Sequence, residues 1–268
     1  RAAMMNAIGD AYRQLGLFAQ AERMLTNALK IRSENLPDNH PDLAESYHNL
    51  GWYFHEIGNY PRAGSLYDQA LEIRRSIDTD EGKRLTANTL HNKAWMLANE
   101  GWEDEAEEMI REALRIRTEL LGPDNRDAIF SRIGLLFVLI EQERLLEATE
   151  HIFAIVSRLG SLNIDANVGQ AVTQFALGMT TRNISPSLSE MHLQAALRAC
   201  ETAMGNDSIY VGVICCELGT TQEAQTRFAE AAENYKRAID IGREKVDLEH
   251  PRIRLAVERY ADLLRRQG

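Results

Sequence analysis

Three histidines and two asparagines stand at spacings where chemistry is conceivable. His48 and His55 are seven residues apart, so on a helix they share a face, and His91 follows His48 by 43 residues. Three imidazoles on one wall could ligate zinc. No cysteine or supporting polar pattern accompanies them, so hydrogen-bonded or solvated histidines are the expected state and no metal is assigned. A metal-dependent enzyme using these histidines stays as a remote alternative. Cys215 and Cys216 resemble a redox pair only on paper. Adjacent residues diverge on a helix, and Cys215 falls on an apolar position, so packing is expected there. No Ser-His-Asp order, phosphate-binding loop or metal-ligand spacing occurs, so neither catalysis nor a cofactor is expected.

The second group is aromatic and amide. Trp52, Trp95 and Phe137 recur at one step along the chain, and Asn49 and Asn92 recur beside them. Aromatic rings supply contact area at low entropic cost, and an asparagine amide pairs with donors and acceptors of an extended backbone. This chemistry suits a peptide or a loop of a folded partner. The same rings can instead wedge neighbouring helices apart and set curvature, and both readings stand.

The elements that carry these residues are helical hairpins. From Asp42 to Arg75, apolar and small residues recur three or four apart in two runs, broken at Gly58 and Asn59. The first run carries Tyr47, Leu50, Gly51 and Phe54, the second Tyr60, Ala63, Tyr67 and Ala70. Ala21, Ala63, Ala106, Ala148, Ser189 and Ala231 repeat one position at steps of 42, 43, 42, 41 and 42 residues. Ala28, Ala70, Ala113, Ile155, Ala196 and Ala238 keep the same period. Two columns in phase are the signature of a repeat array.

Leu50-Gly51-Trp52-Tyr53-Phe54 followed by Ala63, Tyr67 and Ala70 resembles the tetratricopeptide repeat. The long step resembles the kinesin-light-chain variant, as does the connector Leu36-Pro37-Asp38-Asn39-His40-Pro41-Asp42. Leu121-Gly122-Pro123-Asp124-Asn125 and Glu249-His250-Pro251 repeat that connector. The resemblance implies an all-α, right-handed solenoid of about six helix-turn-helix repeats, at 2–35, 42–77, 83–120, 125–160, 165–204 and 206–246. A capping helix over 251–266 closes it, making thirteen helices and no strand in a single array. It also implies that first helices line a concave groove. His48, Asn49, Trp52, His55, His91, Asn92, Trp95 and Phe137 then face a protein or peptide ligand. In related arrays an asparagine at the place of Asn49 and Asn92 contacts the ligand backbone.

Individual repeats depart from the pattern. Lys93 replaces a customary buried leucine, and Trp102 is expected to fill the gap left by Glu103. Ile133 to Ile140 is apolar nearly all round, which predicts burial on several sides. Pro186 breaks the fifth repeat and makes Ser185 its N-cap. Glu103 to Glu108 reads as an acidic solvated face, and Arg74-Arg75 as a short basic cluster.

Charge bounds the partners. Lys and Arg number 30 against 40 Asp and Glu, a net charge of −10. An acidic surface repels phosphate backbones, so nucleic acid is not expected. The longest apolar run is too short to span a bilayer, and no leader pattern opens the sequence, so no membrane is expected. Three cysteines give no disulfide framework, which favours the cytoplasm. Arg1 opens directly on a repeat, which reads as a piece of a longer multidomain protein. The expected role is a sensor or regulatory arm. By resemblance, its neighbours in a bacterial signalling or effector protein would be a kinase, a nucleotide switch or a caspase-like peptidase. A receptor for a short signalling peptide is the alternative.

Overall fold

Helix boundaries follow the local chemistry of caps and turns. In the computed structural model, which describes residues 1–159, 166–245 and 251–267, the His40 ring accepts from the Asp42 amide to start α3 (Pro41–Glu56). Asn59 caps α4 (Tyr60–Arg75) and Thr79 caps α5 (Asp80–Glu100). Ser185 accepts from Leu188 to start α10 (Pro186–Met204), as its place before Pro186 predicts. Gly58 and Gly101 turn the chain with φ of 77° and 85°, where a side chain would be strained.

The remaining helices are α1 (Ala2–Gln14), α2 (Phe18–Asn35), α6 (Glu103–Leu121), α7 (Arg126–Glu141), α8 (Leu145–Leu159) and α9 (Ala166–Thr181). They continue with α11 (Ile209–Ala224), α12 (Phe228–Lys245) and α13 (Pro251–Gln267). Among the described residues there are thirteen helices and no strand, an all-α helical-repeat solenoid. The expected connector Glu249-His250 lies outside the described residues.

The chain divides into two compact units, Arg1–Gly134 and Leu135–Gly268. In the first, α1 pairs with α2, α3 with α4, and α5 with α6. Seams join α2 to α3 and α4 to α5, while α3 touches both α1 and α5, so the first helices stand in a row. In the second, α9–α10 and α11–α12 are the hairpins, joined through α10 and α11, and α13 packs on α11 and α12.

Small residues let the paired backbones approach. Ala21, Ala63, Ala106, Ala148, Ser189 and Ala231 are all fully buried. A Cβ on Gly51 would stand 3.1 Å from the Tyr67 ring and one on Gly219 2.7 Å from the Tyr235 ring. Both tyrosines are fully buried, so neither can yield. Enlarging Ala63 to leucine should therefore cost about 1–3 kcal/mol. Urea unfolding checks it: an unchanged midpoint would mean the hairpin is loosely packed.

One expectation fails here. Trp102 does not fill the place beside Glu103: it is 53 % exposed, ahead of α6. Of the short basic pair Arg74-Arg75, Arg74 is buried and Arg75 is exposed. Lys93 tolerates its position by reaching outward to pair with Asp68. Ile133, Leu135, Leu136, Val138, Leu139 and Ile140 of α7 are all buried, as an apolar helix requires.

Candidate functional site

Three buried arginines fix the row of first helices in the first unit. Arg32 donates to the Asp42 carbonyl and to Ser46 Oγ, each at 2.8 Å, and to Glu45 at 2.9 Å. Arg74 donates to the Leu85 carbonyl at 3.0 Å and to Thr89 Oγ1. Arg117 donates to the Asp127 carbonyl at 3.0 Å, to Ser131 Oγ at 2.6 Å and to Asn88 at 2.8 Å. Each arginine ends a second helix and clasps the start of the next first helix. The acceptors include first-turn carbonyls, so the clasp sets where the next helix enters. Burial pulls Arg74 and Arg117 down to about 10.

The clasps aim the histidines between first helices. His48 Nδ1 lies 3.3 Å from Thr89 Oγ1, and His48 Nε2 lies 3.4 Å from the Asn92 amide. Its ring packs on Tyr67 and edge-on to Trp52. Burial, then the nearby Arg74 and Arg13 charges, hold its pKa well below the usual histidine value. His91 Nε2 accepts from the Trp95 indole N–H at 3.1 Å, so the neutral ring carries its proton on Nδ1. That nitrogen is buried without a partner. Burial and Arg117 push His91 down to about 3. His55 Nε2 meets the Asn99 amide at 3.1 Å, and its ring packs on Tyr60. The three rings are thus each committed to a different neighbour.

Asn49 and Trp52 differ from the rest. Asn49 is half-buried and makes no hydrogen bond within the described residues. One helical turn on, Trp52 is half-buried, and its indole N–H has no acceptor there. The Arg13 guanidinium stacks over the Trp52 ring at 3.9 Å. Arg13 also bonds Glu56 at 2.6 Å and Asp10 at 2.8 Å, so this cation is fully paired. Asn92 and Trp95 are half-buried, but their polar groups are engaged with His48 and His91. Phe137 belongs to the second unit, where it packs on Phe175 with ring centroids 5.7 Å apart.

The tetratricopeptide-repeat family matches residues 1–76 and again residues 86–127. Over these residues the chain is a tetratricopeptide-repeat array. Its fold is that of the TPR-like repeats assigned to a kinesin light chain of Podosopora anserina, at 17 % identity and a TM-score of 0.60, covering 76 % of this chain and 97 % of that one. BtubC (BKLC) from P. vanneervenii has the same fold at 18 % identity and a TM-score of 0.57, covering 84 % of this chain and 89 % of that one. So does the Rap conjugation gene regulator of the plasmid pLS20, solved in complex with the Phr* peptide. Here the identity is 14 % and the TM-score 0.60, over 97 % of this chain and 73 % of that one. No curated protein matches the sequence.

In this array the arginine clasp lies outside the histidine, asparagine and aromatic columns that the sequence singles out. Its signal lies in the sequence: Arg32, Arg74 and Arg117 at steps of 42 and 43, with Ser46, Thr89 and Ser131 in the same register. Among the described residues no three His, Cys, Asp or Glu side chains could together hold a metal ion. Cys215 and Cys216 are buried, and burial raises both thiols, Cys215 to about 11. A thiol so raised is a poor nucleophile near neutral pH. No described helix is long and apolar enough to cross a membrane.

Proposed function

We propose that the array is an interaction module without catalysis of its own, holding a protein or peptide partner against the row of first helices. One observation carries this reading. Asn49 and Trp52 present an unused amide and an unused indole N–H, one helical turn apart, beside His48, Asn92 and Trp95, whose polar groups are engaged with neighbouring side chains. An extended chain offers the matching acceptors and donors. His48, His55, His91, Asn92 and Trp95 serve chiefly as spacers between first helices, because their polar groups pair with one another, with Thr89 and with Asn99. Phe137 contributes apolar surface in the second unit. The Phr* peptide held by the pLS20 regulator supports a peptide as one form of partner.

We further take the module to be a cytoplasmic sensor or regulatory arm of a larger signalling protein, in which partner binding alters a neighbouring domain. Stand-alone reception of a short signalling peptide is the second reading.

Asn49→Ala tests the site. The amide has no internal partner, so stability should change by less than about 0.5 kcal/mol. Affinity for the partner captured from the native host should fall about tenfold, or ~1.4 kcal/mol. Trp95→Ala should do the reverse, lowering the melting temperature first. Unchanged capture by Asn49→Ala, or by the Asn49→Ala, Trp52→Ala pair, would remove the site from this face.

A further inference from the structure

Polar rungs tie successive first helices together in the first unit, and one rung is not made. Four residues after Gly9 and Gly51 stand Arg13 and His55, and five after Gly51 and Ala94 stand Glu56 and Asn99. Arg13 bonds Glu56 at 2.6 Å, and His55 Nε2 meets the Asn99 amide at 3.1 Å. The seam of α1 with α3 therefore repeats the register of α3 with α5. Three residues before Gly9 and Gly51 stand Asn6 and His48, and two before Gly51 and Ala94 stand Asn49 and Asn92. His48 Nε2 lies 3.4 Å from the Asn92 amide. The counterpart rung, Asn6 to Asn49, is not made among the described residues. An asparagine side chain ends one bond sooner than the Nε2 of a histidine. Asn6 is only 2 % exposed, yet its Oδ1 has no hydrogen-bond partner among the described residues. An acceptor so deeply buried is costly unless a donor reaches it.

We propose that Asn6, Asn49 and Trp52 form a subsite for one side-chain carboxamide, an Asn or Gln of the bound chain. The proposal rests on the reading of this face as a partner site. The incoming group must donate at its deep end, to Asn6 Oδ1, and accept at its outer end, from the Trp52 indole N–H or the Asn49 amide. A carboxylate lacks the donor, and an ammonium or guanidinium lacks the acceptor. A cation would also stand near Arg13, whose charge Asp10 and Glu56 already pair. The ligand backbone carries both groups, but across a trans peptide they point opposite ways. It also stays at the level of the half-buried Asn49 and Trp52, above Asn6. A serine or threonine hydroxyl stops one bond past Cβ and is too short for the same depth. An imidazole has both groups, but they diverge across a ring. A carboxamide presents N–H and C=O at one planar tip.

Random peptides displayed on phage and selected on the 268-residue protein test this. Peptides whose binding is lost with Asn49→Ala should share an Asn or Gln at one position. In a synthetic copy, changing that residue to the matching acid removes the donor at nearly constant shape and should weaken binding about tenfold. Asn6→His copies the rung of the next seam, so it should bond Asn49 from within. That variant should melt no lower than the parent protein and should bind the amide and acid peptides alike. Asn49-dependent peptides that share a histidine or no polar residue would overturn the proposal and leave the partner site standing. So would an amide-to-acid change without effect, or a preference that persists in Asn6→His. Should Asn6→His fold poorly, the amide and acid peptides compared on the parent protein decide alone. If no selected peptide depends on Asn49, the partner site falls and this subsite with it.

Discussion

Arg74→Ala is expected to destabilise the protein by about 3 kcal/mol, with a fall in melting temperature of about 5–10 °C. The reasons are local. The guanidinium is buried and bonds the Leu85 carbonyl and the Thr89 hydroxyl, which in turn lies beside His48. Truncation leaves these acceptors without their donor and a gap where the aliphatic stem packed. Arg74→Met separates the two causes. It keeps most of the stem and removes a buried charge that has no carboxylate within ion-pair distance among the described residues, so it should cost less than about 1 kcal/mol. Arg32→Ala should fall between them. Its partner Glu45 is half exposed and returns to water, although Ser46 is buried. Urea unfolding of the three variants checks the order. Equal losses for Arg74→Ala and Arg74→Met would mean the hydrogen bonds, not the stem, dominate.

Acidification is expected to produce the second large effect. His48 and His91 are neutral when folded, held below the ordinary histidine value by burial and by arginine charge. An unfolded histidine takes up a proton near pH 6.5. Below that pH the unfolded chain binds more protons, so stability falls as pH falls. For His91 the loss begins near pH 6.5 and continues down to about pH 3. Between pH 7 and pH 5 it amounts to about 2 kcal/mol, and His48 adds a loss of the same sign. Chemical unfolding at both pH values measures it. His91→Phe should be less stable at pH 7, because the Trp95 indole loses its acceptor, yet show a shallower dependence on pH. A wild type whose stability is flat from pH 7 to pH 5 would contradict the neutral, buried rings. Arg74→Met should also soften the slope, because removing that charge raises the pKa of His48.

The two effects share one structural cause. Successive first helices are held apart by polar side chains that lie too deep for water to repair. The arginine fixes the threonine, the threonine adjoins the histidine, and the histidine meets the asparagine of the next helix. Asn49 lies outside this chain of bonds, which leaves its amide without an internal partner among the described residues.

The architecture was legible in the sequence because it is written by period. Ala63 and its counterparts are small since each sits where two backbones touch, and that constraint recurs at every hairpin without reference to distant residues. Gly58, Pro186 and Ser185 likewise act through their own φ angles and nearest amides. The site was legible only in outline. Asn49 and Asn92 look identical in their repeats, yet Asn92 is taken up by His48 and Asn49 is not. Trp52 and Trp95 occupy one position, yet the first lies under Arg13 and the second bonds His91. Arg74 looks like half of a surface pair with Arg75 and is instead buried. These outcomes depend on which side chain of the neighbouring repeat arrives at hydrogen-bonding distance. Periodicity fixes backbone spacing, and only packing of the folded hairpins decides which polar groups satisfy each other and which are left unpaired.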